Sequence, residues 1–191
     1  MSDRPPFIGR ARPLEVLAQQ LTRATAGEPR IVWIEGESGI GKTQLVRRFL
    51  VEASGPRVIT ASGEDGETSL AFGVVDQLWA ALGQPRPGAD PSTSTATSSA
   101  SPMVVGAELL ATLGSIEDPV VVVVDDLQWI DAASAKALLS LLRRVQAEPM
   151  LVVLVSQPDP GPRLGTAWSR LLVDADRVTH VTLGGLSPTE L

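Results

Sequence analysis

The chain has 191 residues, 43% of them apolar and 20% charged, which suits a single folded domain and excludes a disordered chain. Its 16 Lys or Arg stand against 22 Asp or Glu, and the net charge of −6 argues against a broad nucleic-acid-binding or anionic-membrane surface. There is no cysteine and one histidine, His180, which excludes a disulfide scaffold, a thiolate zinc site and a His-rich metal centre.

The N-terminal Met-Ser-Asp-Arg-Pro-Pro carries no apolar run that could serve as a signal peptide. A first helix is predicted from near Pro13, where proline suits the first helical position, with Leu14, Leu17, Ala18 and Leu21 on one face. Ile31–Glu35 reads as a short strand that stops at Gly36. Leu45, Val46, Phe49, Leu50 and Ala53 mark a second amphipathic helix, Arg57–Ala61 another strand, and Phe72, Val75, Trp79 and Leu82 a helix facing the core. Residues 84–102 are different in kind: four prolines, eight Ser or Thr and nothing apolar larger than Ala, a composition that reads as a mobile loop inserted between two helices.

A helix is predicted from Met103 to Leu113, then an all-valine strand over Pro119–Asp125 whose lack of alternation means burial on both faces. Asp131 is placed as the N-cap of a helix with Ala135, Leu138, Leu139, Leu142 and Val145 on one side. A buried strand over Met150–Val155, a short helix around Leu164–Leu172 and a strand over Val178–Leu183 complete the series. Strands alternating with helices give an α/β fold with a parallel sheet. The longest apolar runs are of strand length, far short of the ~20 residues that span a bilayer. With no targeting signal, the expectation is a cytoplasmic protein that does not enter a membrane.

Between the strand at Ile31–Glu35 and the helix that follows it, Gly36-Glu37-Ser38-Gly39-Ile40-Gly41-Lys42-Thr43 matches G-x-x-x-x-G-K-[ST]. Glycines let successive N–H groups turn inward as an anion nest, and the helix that follows adds the partial positive charge of its N-terminus. Lys42, one of only two lysines, is a point charge for β- and γ-phosphates. The Thr43 hydroxyl is a hard oxygen ligand for Mg²⁺. Asp125 and Asp126 close the all-valine strand; Asp125 is placed as the carboxylate that holds Mg²⁺, and Asp126 as the one that polarises an attacking water. Ser156 and Gln157, at the end of a strand expected between those carrying Lys42 and Asp125, are candidates for reaching the γ-phosphate. Arg143-Arg144 reads as a solvated helix end, His180 as a core or edge residue, and Trp33, Trp79 and Trp168 as packing residues. Arg163, Arg170 and Arg177 are more simply surface residues than an arginine finger.

Phe7-Ile-Gly9-Arg10, the phosphate loop, Ala71-Phe72-Gly73-Val-Val-Asp-Gln-Leu78 and Asp125-Asp126-Leu-Gln-Trp129-Ile-Asp131-Ala-Ala-Ser134 occur in that order. Together they resemble the N-terminal ATPase domain of large ATP-binding LuxR-type transcriptional regulators, in the STAND branch of AAA+-related signalling ATPases. The resemblance runs from about residue 7 to 191. It implies a three-layer P-loop fold with a five-stranded sheet in the order 5-1-4-3-2 and helices on both faces. It also implies a nucleotide switch in which ATP favours an active, often self-associating form and ADP an inactive one. The segment bearing Gly9 and Arg10 would lie near the adenine, which places Arg10 among the nucleotide-binding residues. The chain departs from the family pattern at Ala11 and Pro13, where acidic residues are frequent, and at Gln157, where Arg is frequent.

The expected cofactors are therefore ATP or ADP and Mg²⁺, and the expected activity a slow hydrolysis of ATP to ADP and phosphate. A nucleotide-bound scaffold that does not hydrolyse, and a P-loop kinase acting on a small molecule, remain as alternatives. Residues 1–191 read as one nucleotide-binding domain. Ser187, Pro188 and Glu190 carry the signature of a helix start. The expectation is thus that lid, sensor and helix-turn-helix domains lie downstream, and that DNA is contacted only through them.

Overall fold

The computed structural model describes residues 10–88, 100–158 and 164–185. Helix α1 (Ala11–Thr25) leads into β1 (Arg30–Gly36), α2 (Lys42–Glu52) and β2 (Arg57–Ser62). There follow α3 (Gly73–Ala81), α4 (Pro102–Gly114), β3 (Val120–Asp125), α5 (Ala132–Arg144), β4 (Met150–Ser156), α6 (Gly165–Leu172) and β5 (Val178–Leu183). The five strands form one sheet in the order β2-β3-β4-β1-β5, every neighbouring pair parallel. This is the 5-1-4-3-2 order that the resemblance implies, read from the other edge. All five strands therefore end at the same edge, and β1, β3 and β4 deliver Gly36, Asp125 and Ser156 there.

The sheet divides the core by residue parity. Val32, Ile34, Val121, Val123, Leu151, Val153 and Val155 pack with Leu17 of α1 and Leu45, Val46 and Phe49 of α2. Ile31, Trp33, Val120, Val122, Val124, Val152 and Leu154 pack with α3, α4, α5 and α6 on the other face. The all-valine run of β3 is thus buried on both sides, as its lack of alternation requires. Trp33, Trp79 and Trp168 are all buried in this second face.

Two features hold the layer of four helices together. Asp131 caps α5 by accepting from Ser134 N at 2.8 Å, and the same carboxylate accepts from Phe72 N at 2.8 Å and Val74 N at 3.3 Å. One buried side chain thereby serves the N-termini of both α3 and α5, and Ser134 Oγ adds a bond from Val75 N at 3.1 Å. Phe72 takes φ 68°, a left-handed conformation that this carboxylate stabilises. At Gly106, α4 meets α5 so closely that a Cβ would lie 2.2 Å from Ala137 O.

Several expectations need amending. α1 begins at Ala11, two residues before Pro13, so the proline sits within the first turn rather than at its first position, and its missing N–H leaves no bond unmade. The span 84–102 is too wide for the loop: Arg86 is buried, its Nε 2.5 Å from Asp76 Oδ1 and its guanidinium 4.5 Å from the centre of the Phe72 ring. α4 already starts at Pro102, while 89–99 lie outside the described residues. Arg177 is half-buried rather than plain surface: it donates to Leu142 O and Val145 O, closing the C-terminus of α5. Arg170 and Arg143 are exposed, His180 is exposed on edge strand β5 against Trp33, and Arg163 and 186–191 lie outside the described residues.

Gly106→Ala is expected to destabilise the domain by about 2 kcal/mol, because the added methyl runs into the α5 backbone at Ala137 and the Ser140 Cβ. Urea denaturation reads the effect, and an unchanged midpoint would show that α4 can move away at no cost.

Candidate nucleotide-binding site

The phosphate loop leaves β1 at Gly36 and enters α2 at Lys42. Gly39 (φ 75°) and Gly41 (φ 97°) occupy the left-handed region, so the two glycines bend the backbone where a side chain would strain it. Gly36 is required for another reason: a Cβ there would lie 2.8 Å from Leu183 O on the neighbouring strand. α2 has Gly41 at its N-cap, no side-chain cap and no acid in its first turn. No side chain caps its N-terminal N–H groups, whereas Asp131 caps α5, so the positive dipole end of α2 is left open toward the loop. Glu37, Ser38 and Gly39 are exposed at the loop tip, with Ile40 and Gly41 half-buried behind them.

Lys42 is 7% exposed, and its Nζ donates to Gly36 O at 2.7 Å and Glu37 O at 2.9 Å, across the mouth of the loop. Thr43 Oγ1 donates to Asp125 Oδ2 at 2.8 Å, joining residues 82 positions apart. The other oxygen of Asp125 accepts from Asp126 N at 2.9 Å. Asp126 itself sits at φ 49°, and its Oδ1 accepts from Gln128 Nε2 at 2.8 Å. Thr43, Asp125 and Asp126 line a cleft of about 430 Å³ whose far wall includes Arg47, Ser62 and Gln77. Lys42, Thr43, Asp125 and Asp126 are thus brought to one place at the sheet edge.

A hydroxyl and a carboxylate are hard oxygen donors, and among the described residues no cluster of three acidic or His side chains forms a closed metal cage. That donor set suits a Mg²⁺ that enters with phosphate oxygens and keeps part of its water.

Other residues fall differently. Ser156 is fully buried and its Oγ accepts from Trp33 Nε1 at 2.8 Å, so the hydroxyl is committed to the core rather than to the loop. Gln157 is half-buried, and its backbone N donates to Gln128 Oε1 at 3.1 Å. Arg10 is 8% exposed, with one nitrogen, Nη2, donating to Ile40 O and to Gly184 O, each at 3.0 Å. It ties the phosphate loop to the end of β5. Gly9, its companion in the motif, lies outside the described residues. Two glutamines carry roles that spacing does not announce. Gln77 pairs its amide with both N and O of Ser62 at the end of β2, and Gln128 links Asp126 to the end of β4. The only sequence signal for either is its place within a block already singled out for other residues.

The AAA ATPase domain family matches residues 6–153, well over half of the chain. The chain belongs to the AAA ATPase domain family. ATP binding through the P-loop follows from that membership. No curated protein matches this AAA domain significantly. Its fold recurs in the Aeropyrum pernix ORC1 protein solved in complex with DNA, at TM-score 0.65 and 18% identity over 98% of this chain and 48% of that one. Cdc6p from Pyrobaculum aerophilum is similar at TM-score 0.64 and 17% identity, over 95% of this chain and 46% of that one. The Aeropyrum pernix ORC2 protein, solved as ADPNP-ADP complexes, gives 0.59 and 19%, over 96% and 50%. At these identities the likeness is one of fold, and the AAA domain spans about half the length of those chains. Among the described residues no helix is long and apolar enough to cross a membrane.

Arg10→Met is expected to lower stability by about 2–3 kcal/mol, since two carbonyls lose a charged donor. Amide exchange should rise more across 37–41 than in α4 and α5, which follow the global stability; a rise no larger at the loop than in those helices would show that Arg10 does not hold it.

Proposed function

We propose that this AAA domain binds Mg²⁺–ATP and hydrolyses it slowly, as the nucleotide switch of a LuxR-type transcriptional regulator acting in the cytoplasm. The observation that carries the proposal is the 2.8 Å bond between Thr43 Oγ1 and Asp125 Oδ2. It sets the two oxygen donors that Mg²⁺ requires side by side, one at the start of α2 and one at the end of β3.

In this reading the backbone N–H groups of Gly36–Thr43 and the start of α2 cradle the phosphates. Lys42 exchanges its bonds to Gly36 O and Glu37 O for oxygens of the β- and γ-phosphates. Thr43 and Asp125 would hold Mg²⁺, directly or through water, and the ion would supply neutralising charge to the phosphates. Asp126, at the mouth of the cleft, orients the attacking water and accepts its proton. Arg10 acts in this scheme from behind the loop, through Ile40 O.

The regulatory part rests on the resemblance of the 71–78 and 125–134 blocks. These blocks are the ones that Asp131 and Ser134 join through Phe72, Val74 and Val75. DNA contact would then belong to domains beyond this AAA domain, and self-association to its ATP-bound form.

Titration of the full chain with a fluorescent ATP analogue, with and without Mg²⁺, tests the site. Lys42→Ala is expected to weaken binding about 10- to 100-fold, the loss of one charge-assisted interaction, and Thr43→Val to remove the Mg²⁺ dependence. Binding that neither substitution alters would place the nucleotide elsewhere. Single-turnover phosphate release tests the chemistry: release no faster than in Lys42→Ala, with binding intact, would leave a nucleotide-bound scaffold.

A further inference from the structure

Asp126 cannot hold its own carboxylate in place. Its backbone is in the left-handed region, at φ 49° and ψ 44°, on a short turn that follows the last residue of β3. Asp125, one residue earlier, has both oxygens fixed, one by Thr43 and one by the N–H of Asp126. The Asp126 carboxylate takes its bond from Gln128 Nε2, two positions on, in the single 3₁₀ turn Leu127–Trp129.

Gln128 is 8% exposed, and the other end of its amide is also engaged: Oε1 accepts from Gln157 N at 3.1 Å. A neutral amide has both a donor end and an acceptor end, and here each end is used once. A chain of bonds thus runs from the backbone just past the end of β4, through one side chain, to the carboxylate at the end of β3. β3 and β4 are paired along their length, from Val120 opposite Met150 to Val124 opposite Leu154, so the two ends are fixed relative to each other. The side chain of Gln157 takes no part, because the bond is to its backbone nitrogen.

We infer that Gln128 is a positioning residue for ATP hydrolysis: its amide aims the Asp126 carboxylate by referring it to the backbone of β4. The inference rests on the hydrolytic reading of the site and on Asp126 as the group that takes the proton from water. An acceptor bonded through one oxygen to a buried donor has its other oxygen directed, which is what a base needs in order to meet a water at hydrogen-bond distance. Loss of that direction changes the chemical step and leaves the phosphate-binding groups of the loop where they are. It therefore lowers kcat with little effect on KM.

Two substitutions separate positioning from packing. Gln128→Met keeps volume and neutrality but has neither donor nor strong acceptor. Gln128→Glu keeps the acceptor for Gln157 N and loses the donor to Asp126. The measurement is steady-state and single-turnover ATP hydrolysis by the full chain, beside wild type, Lys42→Ala, Asp126→Asn and the Gln128→Met/Asp126→Asn double variant, with thermal melting to establish that each is folded. Both Gln128 variants are expected to lose about tenfold or more in kcat, with the KM of Gln128→Met within about threefold of wild type. The double variant should be no slower than Asp126→Asn alone, because a residue that acts through Asp126 has nothing left to aim.

Wild-type kcat in Gln128→Glu would overturn the inference and leave Gln128 as a partner for Gln157 alone. So would multiplicative losses in the double variant, or full activity in Asp126→Asn. Wild type no faster than Lys42→Ala would instead bring down the hydrolytic reading, and this inference with it.

Discussion

Every ladder in this sheet is parallel, and that single constraint produces the site. Parallel strands all finish at one edge, so the polar residues that end each strand collect there without any long-range contact to specify them. β1 brings the glycine loop, β3 brings Asp125 and Asp126, and β4 lies between them. β3 and β4 are almost wholly apolar before that edge, with Val120–Val124 buried on both faces. Thr43 and Asp125 meet although they are 82 positions apart, because their strands are one strand away from being neighbours.

What the parallel sheet cannot do is fix the turns at its edge, and buried polar side chains take that task. Asp131 gathers three backbone N–H groups from two helices and from a left-handed residue that would otherwise be strained. Arg10 spans from Ile40 to Gly184, and Gln77 binds both backbone polar groups of Ser62. Each is a side-chain-to-backbone contact. Asp131 closes the start of α5 internally, while α2 has no side-chain cap.

The legible and the illegible parts of the sequence divide along the same line. Strands, helices and the phosphate loop are local in sequence: a run of valines, a spacing of leucines and eight residues between Gly36 and Thr43 each carry their own meaning. Asp131 shows how far that goes. Its position before Ala132 marks an N-cap, but nothing in spacing reveals that it also serves Phe72 and Val74, more than fifty positions earlier. Ser156 shows the opposite failure. A polar residue at a strand end points to the site edge, yet alternation along β4 turns it to the face that holds Trp33. Arg86, set among prolines in a polar stretch, looked like loop and proved to be buried. Asp76 on α3 and the ring of Phe72 just before it reach Arg86 from ten or more positions earlier, a pairing that only the fold reveals.

The register of β1 has a consequence for how the domain comes to exist. Arg30 pairs opposite Leu151, and Ile31 opposite Val178, so the strand that carries the phosphate loop finds both of its neighbours in the last third of the chain. β2 and β3, by contrast, pair across a much shorter separation. Contacts so distant in sequence require loop closure before they return any stabilisation, and they slow folding. β1 is therefore enclosed only after the chain has reached β4 and β5. The loop that follows it packs at Gly36 against Leu183 and is tied through Arg10 to Gly184, so its full set of contacts exists only in the completed sheet.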